Sequence, residues 1–313
     1  MEISADHIRF GATGRCSRRH FLQRLGVACA GSLAVYSAPA SGAARAVRIA
    51  TPDRAGTQSV LALGMVPIAA VSRSLYDGMG CRPPLPQSVV DCGEPVEPNL
   101  EVLRRANIDF IVTSTIGPDI RDVLQRVAPV FPLEIYTGKP GTLDRAKNET
   151  LRLAQALGIE SAGRAYLEVT DRLLTISTDR LRGLQFRQTF LVGLASDGRS
   201  MTVYGRNSIM YDVMANLGIE NAWHDRTTEY GFANVGIEEL AKDPQANILH
   251  IDYGTDTDIA LTKLSVSPFW NALPMVRERR VHRISRFEVF GGLPAAPQFA
   301  TAVADALLKS EPR

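Results

Sequence analysis

Side chains that could ligate a metal ion or act as nucleophiles are few beyond the first 43 residues. Histidine occurs there only at His224, His250 and His282, and cysteine only at Cys81 and Cys92. Zinc and manganese sites usually combine several histidines and carboxylates in one cluster, whereas these histidines are scattered. The sequence therefore disfavours a metal ion bound directly by protein ligands.

The two cysteines could also pair with each other. An oxidising compartment permits a disulfide bond between Cys81 and Cys92, and two buried free thiols are the alternative. The sequence does not give the distance between the two sulfur atoms, so both possibilities stay open.

Motifs of common enzyme classes are missing from the chain. There is no Gly-x-Ser-x-Gly nucleophile elbow, and no paired-glycine motif opens a helix after the first predicted strand. The pair Gly291-Gly292 alone is a weak signal. These absences favour a binding protein, and an exported enzyme that acts on a small molecule is the rival interpretation.

The first 43 residues have the pattern of a targeting segment. Arg18-Arg19 is followed by Phe21-Leu22, then by an apolar run over 25–36 and small residues over 38–44. This order is typical of a twin-arginine signal with a signal-peptidase site, and the apolar run is too short to span a bilayer. The alternative is an ordinary amphipathic helix. The pattern predicts a signal peptide over 1–43 and export to the periplasm by the twin-arginine translocase.

Charge and length limit the possible partners. Residues 1–43 carry five arginines and two acidic residues, so their removal changes the formal charge from +2 to −1. The remaining chain has no basic bias that would favour nucleic acid or an anionic membrane. Its length of about 270 residues suffices for one large domain or two lobes with a sizeable core.

Short apolar strands alternate with helices in both halves of the chain. Strands are predicted over 47–50, 66–71, 88–91, 110–113, 129–133, 189–194, 202–204, 248–251 and 281–284. This alternation predicts an α/β fold with two Rossmann-like lobes and mainly parallel sheets.

A long helical region separates the two halves. Helices are predicted over 144–157 and 162–181, and no Gly/Pro-rich linker lies between the halves. The predicted organisation is an N-terminal lobe over 44–160, an inter-lobe helix over 161–184 and a C-terminal lobe over 185–313. A helical connection would be a stiff hinge.

The two halves also share a local pattern. A turn, a short helix with an early glutamate and a buried strand occur over 97–112 and again over 234–251. The early glutamates are Glu101 and Glu238. The halves therefore look like two copies of one lobe plan.

Five segments carry a family resemblance through their order and spacing: 83–93, 97–101 (Glu-Pro-Asn-Leu-Glu), 218–223, 267–274 and 277–281. They resemble the periplasmic substrate-binding proteins of iron–siderophore and cobalamin ABC importers, and within that family the ferric-hydroxamate binders. The resemblance implies two lobes joined by a single long helix, no cofactor, and a ferric siderophore as ligand. It also implies a monomer that meets an inner-membrane permease with its ATPase.

A siderophore site requires aromatic walls and cations that face the oxygens of the ferric complex. Arginine suits planar oxygen donors because its guanidinium gives two parallel charge-assisted hydrogen bonds. Loops at strand ends between the lobes are the expected location. The resemblance thus implies the lining residues Arg54, Tyr76, Tyr204, Arg206, Tyr230, Arg286, Phe287 and Phe290. The alternative is core packing for each aromatic and a solvated surface for each arginine.

The early glutamates have two interpretations. An acidic residue in a first helical turn stabilises the positive end of the helix. In the family that the chain resembles, one glutamate per lobe docks onto arginines of the permease. The matched positions of Glu101 and Glu238 favour permease docking, where complementary charges would fix orientation.

The chain departs from the hydroxamate-binding pattern at several places. Glu94-Pro95-Val96 stands where an arginine is expected, Glu288 and Phe290 replace a tryptophan and a tyrosine, and Tyr230 replaces another tryptophan. A ferric complex that differs from ferrichrome in shape or charge therefore fits better. Haem and cobalamin are further alternatives.

Overall fold

Two five-stranded sheets form the frame of the protein in a computed structural model that describes residues 46–114 and 118–310. The predicted signal peptide lies outside the described residues. The strands are β1 (Ile49–Thr51), β2 (Ala69–Ala70), β3 (Val90–Asp91), β4 (Gly93–Glu94), β5 (Glu97–Pro98), β6 (Phe110–Ser114), β7 (Val130–Leu133), β8 (Thr189–Leu194), β9 (Ser200–Tyr204), β10 (Phe232–Gly236), β11 (Asn247–Ile251) and β12 (Val281–Ile284).

The two sheets share one strand order. The first has the order β3-β2-β1-β6-β7 and the second β10-β9-β8-β11-β12, so each places its third, second, first, fourth and fifth strands side by side. All strand pairs of the first sheet are parallel. In the second sheet β9 runs antiparallel to both β8 and β10. The sheet of the second lobe is therefore mixed. The predicted parallel arrangement of strands holds there only for β8, β11 and β12.

Helices flank the sheets and connect them. They are α1 (Arg54–Ala62), α2 (Arg73–Gly78), α3 (Leu100–Arg105), α4 (Pro118–Gln125), α5 (Thr142–Ala156), α6 (Glu160–Arg180), α7 (Ile209–Asn216), α8 (Thr255–Ser265), α9 (Pro268–Ala272), α10 (Pro274–Arg277) and α11 (Ala295–Ser310), with a 3-10 helix at Ile237–Lys242. Within the described ranges, no helix combines the length and apolarity needed to cross a membrane.

The connection between the sheets consists of α5 followed by α6. Gly158 lies between them with a φ of 69°, a left-handed conformation that glycine adopts without steric cost and that ends a helix. Helix α6 packs against α5 and α11, and α5 also packs against α7. The largest apolar cluster contains residues of both sheets, for example Ile49 and Leu249. The helical connection is thus part of a continuous core.

Both cysteines are free in this structure. Cys81 and Cys92 are buried in separate apolar clusters. Burial raises the pKa of the Cys92 thiol to about 12, which keeps it protonated at neutral pH. The possible disulfide bond is not formed, and the free-thiol alternative describes this state.

Candidate functional site

The carboxyl ends of β1 and β6 form the topological switch point of the first sheet, where a ligand crevice is expected. After β1 the chain continues to β2 on one side of the sheet, and after β6 it continues to β7 on the other side. Open α/β sheets bind ligands at such switch points. Asp53 joins the two strand ends because its carboxylate accepts hydrogen bonds from the Gly56 N–H at 2.7 Å, the Ser114 N–H at 2.6 Å and the Thr113 hydroxyl. The carboxylate also caps α1.

Arg54 is the first residue of α1 and contacts the second lobe directly at this switch point. Its Nε donates to the Glu288 carboxylate, and its Nη2 lies 3.4 Å from Glu288 Oε1. The Glu288 side chain is fully buried, whereas the Arg54 side chain is 21% exposed. Burial disfavours the charged guanidinium, but the Glu288 carboxylate outweighs that effect, and the pKa of Arg54 lies above its ordinary value. The two residues form an ion pair between the lobes.

The segment that follows β12 packs directly on α1. A Cβ atom at Gly291 would clash with Gln58 Oε1, and one at Gly292 would clash with Ser59 Oγ. Glycine permits this close approach without displacing either side chain. The hydroxyl of Tyr136, in the first lobe, also donates a hydrogen bond to the Gly291 carbonyl at 2.9 Å. The segment 286–292 therefore contributes side chains to the junction of the two lobes.

Four aromatic rings form a cluster at this junction. The ring centroid of Phe290 lies 6.2 Å from Tyr136, 5.8 Å from Tyr230 and 5.4 Å from Phe232. Tyr136 and Tyr230 are 5.8 Å apart. Tyr136 is buried, while the other three rings are partly exposed. The cluster could serve as the aromatic wall expected for an organic ligand, and of the predicted lining residues it contains Tyr230 and Phe290.

Arg286 also lies at the junction. Its Nη1 donates to the Gly78 carbonyl of the first lobe, and its Nε donates to the Asp252 carbonyl of the second at 3.1 Å. The guanidinium lies 5.9 Å from the ring centroid of Tyr253. Arg286 thus links the lobes, and two of its five N–H donors bond backbone carbonyls.

Three predicted lining residues belong to the core instead. Tyr76 lies inside α2, is fully buried and donates to the Pro83 carbonyl at 2.7 Å. Tyr204 is 4% exposed, with its hydroxyl 3.2 Å from that of Tyr253. Phe287 packs on Phe299 at a centroid distance of 5.1 Å. Burial raises the pKa of both tyrosines well above the usual range. Core packing, the alternative interpretation, describes all three.

Arg206 is exposed in the loop after β9. Its carbonyl accepts a hydrogen bond from the Thr227 hydroxyl at 2.8 Å, which ties it to the loop that carries Tyr230. Across 46–114 and 118–310, no group of three or more histidine, cysteine, aspartate or glutamate residues is arranged to hold a metal ion.

Comparison with known proteins decides the family. The sequence profile of the periplasmic binding protein family matches residues 49–286. The chain belongs to this family. It is 30% identical over 261 residues to the iron(3+)-hydroxamate-binding protein FhuD of Escherichia coli, a match that covers 83% of this chain and 86% of that relative.

Solved structures agree with the assignment to this family. The siderophore-binding protein FhuD of Vibrio cholerae, bound to Fe3+-Desferal, is 25% identical with a TM-score of 0.78, over 85% of this chain and all of that one. The triscatecholate siderophore-binding protein FeuA of Bacillus subtilis is 18% identical with a TM-score of 0.64, over 84% and 92% of the two chains. The second likeness shows the shared fold.

Within this family fold, Glu101 and Glu238 both lie on the surface. Glu101 pairs with Arg105 at 2.6 Å, and both side chains are well exposed. Glu238 lines a surface depression of about 550 Å³ together with Arg199, Lys263 and Phe269. Each carboxylate is thus accessible to a partner.

Sequence reasoning missed three residues of the junction as site residues. Tyr136 follows β7 and lies in no segment that suggested a ligand. Phe232 begins β10, only two residues after the predicted lining residue Tyr230, but was not itself singled out. Glu288 was noted only as a departure from the family pattern. Its charge in an otherwise apolar stretch, Phe287 to Phe290, was the available signal, since a charged residue is rarely buried without a partner.

Proposed function

We propose that this chain is the solute-binding component of an ABC importer that captures a ferric siderophore, of the hydroxamate or a related type, between its two lobes. In this proposal it delivers the complex to an inner-membrane permease with its ATPase. One observation carries the proposal: a cluster of aromatic rings from both lobes lies at the lobe junction of a chain that is 30% identical to an iron(3+)-hydroxamate-binding protein.

The proposal includes the cellular setting. The chain acts as a monomer in the periplasm after export by the twin-arginine route, and Glu101 and Glu238 dock onto the permease. It functions as a binder without a cofactor and catalyses no reaction. The lack of enzyme motifs in the sequence and the binding role of its relatives support this part.

The test is a ligand panel on the purified protein without residues 1–43. Ferric hydroxamates, ferric catecholates, haemin and cyanocobalamin are compared by isothermal titration and thermal shift, because a ligand that binds the native state raises the melting temperature. Each iron-free siderophore serves as the matched control. Tight binding of at least one ferric siderophore is expected. Binding of haemin or cyanocobalamin alone would contradict the proposal and indicate a binder of that chelate. Turnover of any ligand would contradict it and indicate an enzyme.

A further inference from the structure

The ion pair between Arg54 and Glu288 changes the charge of the crevice. Arg54 is one of the arginines expected to face a ferric complex, but its guanidinium already holds the buried Glu288 carboxylate. Asp53, which is 5% exposed, adds a second carboxylate beside it. The guanidinium is thus paired with one buried carboxylate, and the neighbouring residue carries a second, at the switch point of the first sheet.

Glu288 is connected to the aromatic cluster through the backbone of Phe290. The Phe290 N–H donates to Glu288 Oε1 at 3.0 Å, so the carboxylate is fixed two residues from the ring at the centre of the cluster. Buried charges act through a low effective dielectric and are screened by salt less than surface charges. A ligand against Phe290 therefore experiences this carboxylate.

Ferric siderophores differ in net charge. Each hydroxamate carries one negative charge, so three of them balance Fe3+. Each catecholate carries two, so a ferric tris-catecholate is a trianion. A crevice whose arginine is neutralised accepts the first kind of complex, whereas an unpaired guanidinium would attract the second.

On the basis of the proposed function, we propose that Glu288 is a specificity-determining residue that neutralises Arg54 and thereby excludes anionic ferric complexes from the cleft. Removing its charge while keeping its shape releases the Arg54 guanidinium toward the ligand. The selectivity of the protein then shifts toward anionic complexes.

The experiment measures the affinity of Glu288→Gln for two named probes, the ferric complex of Desferal and ferric bacillibactin, by isothermal titration. We expect the variant to bind the tris-catecholate at least about tenfold more tightly than the wild type, while affinity for the hydroxamate changes much less. Glu168→Gln, an exposed position on α6, removes the same charge from the protein and should change neither affinity. Arg54→Gln combined with Glu288→Gln should abolish the gain.

Each outcome has a separate meaning. If the wild type binds neither complex nor any other ferric siderophore, the proposed function fails. If it binds ferric hydroxamates and a folded Glu288→Gln shows no gain for the catecholate, the role of Glu288 is wrong. Glu288→Met removes the charge with a different side chain and replaces the first variant if that one does not fold. Failure of both to fold would make Glu288 a folding determinant and overturn its role in selectivity.

Discussion

Glu101 and Glu238 occupy the same position in the two lobes. Each is the second residue of a short helix, α3 in the first lobe and the 3-10 helix in the second, and each helix leads into the fourth strand of its sheet. Packing within a single lobe does not require this match. The shared lobe plan accounts for the match, and a partner that contacts both lobes at once could use it.

The first prediction concerns transport. Glu101→Ala with Glu238→Ala should abolish uptake of the cognate ferric siderophore, because both contacts with the permease are lost, while ligand affinity stays near that of the wild type. The unfolding free energy should fall by only about 0.3–1 kcal/mol per site, the value of a charge at a helix end. Labelled-iron uptake is measured beside equilibrium binding.

Glu160→Ala is the matched control, because Glu160 is an exposed glutamate in the first turn of α6. It should leave uptake intact. Normal uptake in the double variant would show that both glutamates only stabilise their helices. A loss of ligand binding together with uptake would show that they belong to the ligand site.

The second prediction concerns the aromatic cluster. Phe290→Ala should weaken siderophore binding by roughly tenfold or more, since Phe290 contacts three other rings and central aromatics contribute most to binding energy. Phe269→Ala removes a ring that is 39% exposed on the second lobe and should not change affinity. Isothermal titration of both variants is the measurement, and equal effects of the two would contradict a role for the cluster.

The third prediction separates the core from the site. Tyr76→Phe removes the 2.7 Å hydrogen bond to the Pro83 carbonyl, so the unfolding free energy should fall by about 1 kcal/mol or somewhat more. Siderophore affinity should not change, because the ring is fully buried in the first lobe. Urea denaturation and titration test the two statements, and a selective loss of affinity would return Tyr76 to the ligand site.

The fourth prediction concerns pH. Burial, followed by the charge of Arg283, lowers the pKa of His250 to about 4. In the unfolded chain this histidine takes up its proton near pH 6.5. Between these values the unfolded state binds more protons, so the unfolding free energy should fall as pH drops from about 7 to about 4, by roughly 2–3 kcal/mol.

His250→Leu should flatten that dependence when urea denaturation is repeated at several pH values. Some slope should remain, since burial also lowers the pKa of His282. An unchanged slope in the variant would show that other groups govern the acid sensitivity.

The fifth prediction concerns export. Lysine at both Arg18 and Arg19 should prevent appearance of the processed protein in the periplasmic fraction, since the paired arginines define the signal. Lysine at Arg15 and Arg24, which flank the pair in sequence, is the matched control and should permit export. Processed periplasmic protein from the first variant would exclude the twin-arginine route.

The sequence predicted the frame of the fold well, and the site only in part. Apolar runs such as 110–113 and 189–194 became β6 and β8 because burial on both faces leaves a continuous signal. Helix α2 was missed since its six residues are too short for a helical period, and β10 was missed because Gly231 and Asn234 gave that segment the composition of a loop.

The ligand-lining residues were harder to predict for a physical reason. Tyr76 and Tyr230 both occur near strand ends in the sequence, but only the packing of α2 buries the first. The partner of Arg54 lies 234 positions away along the chain, and no local pattern connects the two. Contacts between lobes depend on how the finished lobes meet, which local propensity does not encode.

Segment 286–292 packs on α1, and this contact determines when during synthesis the first lobe can complete its fold. Helix α1 is made early, but Gly291, Gly292 and the carboxylate that pairs with Arg54 are synthesised near the end of the chain. The first lobe therefore completes its packing only after almost the whole polypeptide has left the ribosome. A chain truncated after β12 would lack the Arg54–Glu288 pair and the packing of Gly291 and Gly292 on α1, so part of α1 would stay uncovered even though α5 still packs on α7.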